Sequence, residues 1–168
     1  MTWSEGRGAR GGPALGVRRY AVRMEPTCSV RVARLADAAA LADLSTQLGY
    51  PSSEAQVRGR LRLLDDPERT LLVAESGGVV AGFIDVHVQR TVEEDPYGEV
   101  GGLAVTRERR ASGIGRALLD AAAAWARDRG LSHLWIRANL ARGTAAHGFY
   151  EHAGCRTVKD QRVYELPL

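Results

Sequence analysis

The sequence predicts an α/β domain with a mixed, mostly antiparallel central sheet of about seven strands and helices on both faces. Three observations carry that expectation. Apolar and polar residues alternate over 29–35, the period of a half-buried strand, and the apolar-rich segments 70–76, 79–89 and 97–106 read as further strands. Apolar residues recur every three to four positions over 37–49 and in the alanine-rich run beyond Gly115, the period of a helix face. Tight turns join some of these strands, whereas helices separate others, so hairpins and crossovers share one sheet.

Each element has a local reason. "SVRVARL" (29–35) alternates and reads as a short strand. In "DAAALADLSTQLG" (37–49), Leu41, Leu44 and Leu48 share a helical face that Gly49 closes. Pro51 interrupts the chain. Ser53, with Gln56 three residues on, then forms a capping box for a second helix reaching about Leu64, before Pro67. "TLLVAES" (70–76) and "VVAGFIDVHVQ" (79–89) are strands joined by a two-residue turn, Gly77-Gly78. "YGEVGGLAVT" (97–106) is a strand whose internal Gly101 and Gly102 signal a bulge or a close backbone approach. After the helix beyond Gly115 come a strand in "SHLWIRAN" (132–139) and a short helix in "TAAHGFYEHAG" (144–154). Two strands, "CRTVKD" and "RVYELPL", close the chain.

Composition narrows the function classes. With 168 residues, 45% hydrophobic and 26% charged, the chain suits one soluble domain. No apolar run approaches the roughly 20 residues of a membrane span, so no membrane partner is expected. Cys28 and Cys155 lack paired spacing and read as reduced thiols of a cytoplasmic protein. No residue set has metal-ligand spacing, so no metal is expected. Residues 1–23 hold five arginines against one glutamate, which leaves residues 24–168 at a net charge of −1. The basic excess thus lies in a Gly- and Arg-rich tail, and a nucleic-acid-binding face is not expected. Residues 1–28 read as a disordered N-terminal extension, with Met24 a natural start, and 29–168 as the domain.

The stretch "RRASGIGRALLDAAAAWARDRG" (109–130) carries the chemistry. Glycine destabilises a helix by about 1 kcal/mol relative to alanine, so Gly113 and Gly115 need a reason. A helix start offers unpaired N–H groups and a partial positive charge, which suit a phosphate that can come close. Glycines remove the side chains that would hold it away, and Arg109, Arg110 and Arg116 add charge. A P-loop is excluded because the stretch has no Lys. A dinucleotide fingerprint is disfavoured because Leu118 stands where its third glycine would be.

The motif Arg110-x-x-Gly113-x-Gly115, directly after "GLAVTRER", resembles the R/Q-x-x-G-x-G/A signature of the GCN5-related N-acetyltransferase (GNAT) superfamily. "IRANLARGTAAHGFYEHAGC" is similar to that family's second conserved segment, with Cys155 where an aromatic residue is usual. The resemblance covers about residues 29–168 and implies the acyl-CoA N-acyltransferase fold, with acetyl-coenzyme A (acetyl-CoA) as co-substrate. It implies that backbone groups of Leu103, Ala104 and Val105 pair with the pantetheine arm like an added strand. The amides of Arg110, Ala111, Ser112, Gly113, Ile114, Gly115 and Arg116 would hold the pyrophosphate, and Asn139 would contact the cofactor. A homodimer is the family's default.

Acetyl transfer to an amine needs a neutral nucleophile, a donor for the developing oxyanion and an acid for the leaving thiolate. Glu99 is the candidate base. It precedes Val105 by six residues, the spacing of a catalytic Glu in the family's histone-acetylating branch. Period two would place it on the face of Gly101, Leu103 and Val105. Tyr150 matches the family Tyr whose hydroxyl sits near the coenzyme A sulfur, and is the candidate acid. His147 and His152, on the same helix, are expected to face solvent. Asp85 and His87, which share a strand face with Phe83, and Tyr50, between the first two helices, are candidate walls of the acceptor site. Glu93, Glu94, Asp95 and Glu99 form an acidic stretch that would steer a cationic amine. The expected activity is therefore direct acetyl transfer from acetyl-CoA to a primary amine of a small cationic molecule. Peptide acetylation and a silent acetyl-CoA-binding module are the alternatives.

Overall fold

The computed structural model describes residues 28–138 and 144–168. The proposed N-terminal extension lies outside them, save for Cys28, and so does Asn139. Strand β1 (Cys28–Val32) leads into helix α1 (Ala38–Gln47) and helix α2 (Glu54–Arg62). Strands β2 (Arg69–Ser76), β3 (Val79–Gln89) and β4 (Tyr97–Val105) follow, then helix α3 (Ile114–Arg127), strand β5 (Leu134–Ile136) and helix α4 (Thr144–His152). The sheet runs in order β1-β2-β3-β4-β5; all its pairs are antiparallel except β4–β5.

Local signals explain these elements. The Ser53 hydroxyl accepts from the Gln56 amide at 3.2 Å, and Gln56 Oε1 accepts from the Ser53 amide at 2.8 Å, closing the capping box that starts α2. Gly77 and Gly78 both adopt positive φ (61° and 80°), the pair of conformations a tight primed hairpin turn requires. Helix α3 buries Ile114, Leu118, Ala121, Ala122 and Trp125 against one face of the sheet, where they meet Leu72, Ile84, Val86 and Val100. Helices α1 and α2 cover the other face through Leu41, Ala42 and Val57, which meet Val73 and Phe83.

The described residues form five strands, not seven. The segment after Cys155 makes no ladder, and Val163, Tyr164, Leu166 and Leu168 are exposed. It touches β5 through side chains alone: Arg137 Nη1 donates to Gln161 Oε1, and Lys159 lies 4.1 Å above the Trp135 ring. Alternation reports suitability for a pleated, half-buried surface, whereas a strand also needs a neighbour that presents free backbone groups. Of the strand expected over 132–139, the described residues form a strand at Leu134–Ile136, and Asn139 lies outside them.

A buried ion pair fastens β1 to the start of α1. Arg31 donates to both Asp37 oxygens (2.8 and 2.9 Å), the Arg34 amide donates to Asp37 at 2.7 Å, and the Asp37 side chain is 8% exposed. The hydrogen bonds from Arg31 are the main reason that the Asp37 carboxyl is held below its ordinary range. A carboxyl lowered in the folded state stabilises the fold above its unfolded value. That contribution disappears as pH falls below about 4 and through the folded value. Asp37→Ala is expected to destabilise by about 2 kcal/mol at pH 7, because it removes two charge-assisted hydrogen bonds and leaves the half-buried Arg31 with Glu75 as its remaining carboxylate partner. Denaturant melts at pH 7 and pH 3 check both points, and the difference between variant and parent should shrink at the lower pH.

Candidate active site

Strand β4 is irregular where the site forms. Its register runs His87↔Glu99 and Val86↔Val100, then jumps to Asp85↔Gly102 and Ile84↔Leu103. Gly101 is left without a partner, the bulge that its glycine pair signalled. A Cβ on Gly101 would sit 3.1 Å from Asp85 Oδ2, so the glycine also makes room for that carboxylate. The extra residue shifts the alternation by one. Cross-strand partners share a face, so Glu99 lies with His87, and by alternation with Asp85 and Phe83, on the α1/α2 side. Leu103 and Val105 instead share the α3 side with Ile84 and Gly82. The expectation that Glu99 shares a face with Leu103 and Val105 is therefore corrected, because a strict period of two does not survive a bulge.

Beyond the bulge, β4 has an edge that no strand among the described residues pairs with. Strand β5 pairs with β4 only at Gly98, Glu99 and Val100, while β3 follows β4 as far as Val105. The other edge of Leu103, Ala104 and Val105 opens onto a cleft of about 840 Å³. The opposite wall comes from α4, through Phe149 and Tyr150, and one end is the start of α3 with Gly113, Gly115 and Arg116. Arg110 and Ala111 line the same end. Ser112 and Ile114 do not line the cleft: the Ser112 hydroxyl donates to Arg109 O at 2.6 Å, and Ile114 is buried beneath α3.

The two glycines of the loop answer to different demands. Gly113 is the N-cap of α3 with φ +83°, a left-handed conformation that costs an L side chain about 1–2 kcal/mol. A Cβ on Gly115 would lie 3.1 Å from Phe149 Cε2, so this glycine lets α4 pack against α3. The first bond of the α3 ladder runs from the Ala117 amide to Gly113 O, which leaves the amides of Ile114, Gly115 and Arg116 without intrahelical acceptors. Ala111 is also left-handed (φ 58°), an outlier in the same turn. The arginine side chains are engaged elsewhere: Arg109 donates to Ser76 Oγ at 2.6 Å, and Arg116 pairs with Asp120. Only Arg110 stays near β4, with Nε 3.4 Å from Val105 O. This end of the cleft thus combines backbone donors with the arginines that line it, Arg107, Arg109, Arg110 and Arg116.

Tyr150 is a half-buried titratable group in the cleft wall. Burial, and secondarily the nearby Cys155 thiol, push its hydroxyl above the ordinary tyrosine range. Burial also raises the Cys155 thiol, against a smaller opposing effect of Arg116. His147 lies three residues before Tyr150, on the same side of α4, and its Nε2 is buried without a hydrogen-bond partner. The expectation of a solvent-facing His147 is corrected. His152 does lie at the surface, at the cleft rim.

On the α1/α2 face, each candidate carboxylate is held by an arginine. Arg137 donates to both oxygens of Glu99, at 2.9 and 3.1 Å, and Arg69 donates to both oxygens of Asp85, at 3.0 and 2.5 Å. His87 sits across from Glu99 and from Arg69, with a buried, unpartnered Nδ1. Tyr50, 60% exposed, follows the α1 terminus, whose Gln47, Leu48 and Gly49 line the cleft. Glu93, Glu94 and Asp95 lie in the exposed β3–β4 turn, at the opposite end of β4 from the α3 start. Arg137 and Gln47, whose Oε1 accepts from the Arg107 amide at 3.1 Å, escaped the sequence reading. No local motif marks either residue; only long-range packing brings them here.

These features define a class: mixed-sheet proteins with a bulged central strand, a gap beside it and a glycine-capped helix at the gap's end. The chain belongs to the acetyltransferase (GNAT) family, whose model matches residues 37–155. It is 31% identical over 147 residues to aminoglycoside N(6')-acetyltransferase type 1 of Stenotrophomonas maltophilia, covering 83% of this chain and 94% of that protein. Among solved structures, aminoglycoside N-acetyltransferase AAC(6')-Iy in complex with CoA superposes with a TM-score of 0.75 at 16% identity, covering 88% of this chain and all of that one. Aminoglycoside 6'-N-acetyltransferase AAC(6')-Ih from Acinetobacter baumannii gives a TM-score of 0.73 at 15% identity, with 84% and 99% covered. The protein is an acetyltransferase of the GNAT type.

Proposed function

We propose that the protein transfers the acetyl group of acetyl-CoA directly to a primary amine of a small cationic molecule. One observation carries this reading: the free edge of β4 and the unbonded amides that start α3 meet in a single cleft, with the Tyr150 ring in its wall. A pantetheine arm carries amides that can pair with Leu103, Ala104 and Val105 as a neighbouring strand would. A pyrophosphate suits the helix start, where the amides of residues 110–116 gather beside the partial positive charge. The cleft volume suits an extended ligand.

In this reading Glu99 accepts the proton of the bound ammonium, and the Tyr150 hydroxyl donates to the thiolate as it leaves. The raised Tyr150 hydroxyl keeps its proton at neutral pH, as a donor must. Asp85, His87 and Tyr50 form the acceptor wall. The cationic acceptor is favoured by the relative named for aminoglycosides, and by the acidic β3–β4 turn, whose field attracts a cation. The homodimer draws support from the exposed apolar residues after Cys155, and sedimentation tests it.

Free-thiol release across polyamines, aminoglycosides, amino acids and short peptides tests the reading. Small polycationic amines should be turned over and peptides should not. A peptide turned over as well as any small amine would overturn the acceptor class, and tight acetyl-CoA binding without turnover would reduce the protein to a binding module. Tyr150→Phe should lower kcat by roughly tenfold, less than the usual range for acid catalysis because a thiolate leaves readily. Stopped-flow thiol release at saturating acceptor measures it.

A further inference from the structure

We propose that Arg137 is the positioning residue of the proton-accepting carboxylate, fixing the orientation of Glu99. The inference rests on the reading of Glu99 as the base. Its foundation is geometric. Arg137 lies just past β5, one residue beyond Ile136, and reaches Glu99 with Nε (2.9 Å) and Nη2 (3.1 Å), a two-pronged grip on both oxygens. The third nitrogen, Nη1, donates to Gln161 Oε1 at 2.6 Å, so the guanidinium is held at both ends. The Glu99 side chain is 15% exposed, against 48% for Arg137, so the carboxylate is shielded while its partner reaches solvent. A planar fork fits a carboxylate in one orientation, which a point charge does not impose.

The surroundings leave this role to Arg137. Other charged and titratable groups facing the carboxylate are His87 on β3, the Arg69–Asp85 pair two steps along the sheet, and Tyr97 on β4 itself. Lys159 of the C-terminal segment sits over Trp135, the residue paired with Glu99 in the β4–β5 ladder. Arg69 is committed to Asp85, so the cation gripping Glu99 is Arg137. An incoming ammonium therefore meets a carboxylate that already holds a cation, and it must share Glu99 with Arg137 or draw it away. Two oxygens offer about four acceptor sites and the guanidinium uses two, so sharing is geometrically open.

Kinetics test the proposal. In Arg137→Gln, kcat should fall about tenfold, because the carboxylate loses the fork that fixes its orientation. KM for a cationic amine should fall several-fold, because a competing cation is gone, while calorimetric acetyl-CoA affinity stays at the parental value. Arg137→Lys should return KM toward the parental value but leave kcat low, since charge is restored without the fork. The falls in kcat and KM should persist in a His87→Gln background; their disappearance there would assign them to His87 and overturn the proposal. A parental kcat and KM in folded Arg137→Gln would also overturn it. Should Arg137→Gln not fold, a parental kcat in Arg137→Lys decides against it equally. Glu99→Gln separates the two levels: if it keeps the parental rate and pH profile, the base assignment itself fails. If it loses the rate while the Arg137 variants behave as the parent, only the Arg137 role fails.

Discussion

Gly113→Trp is expected to abolish measurable acetyl-CoA binding, a loss of at least about 100-fold or about 2.7 kcal/mol. Two effects combine. The left-handed φ of +83° at the N-cap of α3 resists any L side chain by about 1–2 kcal/mol. Residue 113 also lines the cleft beside the amides of Ile114, Gly115 and Arg116, so an indole there fills the space an anion would need. The strain falls at a surface turn ahead of the buried part of α3, so the folded state should survive with a lowered melting temperature. Titration calorimetry reads the affinity, and circular dichroism checks the fold. Gly113→Ala carries the strain without the bulk and should lie between parent and tryptophan variant. Retained affinity in a folded Gly113→Trp would remove the helix start from the cofactor site.

Glu99→Gln is the second large effect. Removing a positioned base is expected to lower kcat/KM for the amine by about 10²–10⁴. The loss should be greatest at low pH, where nearly all of the amine is protonated and deprotonation by the enzyme matters most. At pH above the amine's own pKa the free base is supplied by solvent, and the variant should approach the parent. Acetyl-CoA affinity should not change, because Glu99 is absent from the cleft lining at the free edge of β4. A pH profile parallel to the parent's would take Glu99 out of the mechanism.

Much of this protein was legible locally. The capping box at Ser53 and Gln56, the Gly77-Gly78 hairpin and the bulge at Gly101 depend on neighbours within a few residues, and each occurs where its residues stand. The Arg110-x-x-Gly113-x-Gly115 motif is local too, since a helix start needs only its own first turn. The reasons for its glycines were half legible. Gly113 obeys the local backbone, whereas the space above Gly115 is filled by Phe149, more than thirty residues away.

What the sequence determined by itself was the chain's short-range order: where helices begin, where hairpins turn, and where a helix presents bare amides. Only the tertiary structure decided which side of the sheet each β4 residue takes, because one unpaired residue at Gly101 reverses the alternation beyond it. It alone brought Arg137 onto Glu99 and Arg69 onto Asp85, and left the C-terminal segment outside the sheet. The physical reason is range. Backbone conformation and capping are settled by contacts a few residues apart, whereas pairing a carboxylate, burying a histidine nitrogen or adding a strand depends on partners that only the packed chain brings within reach.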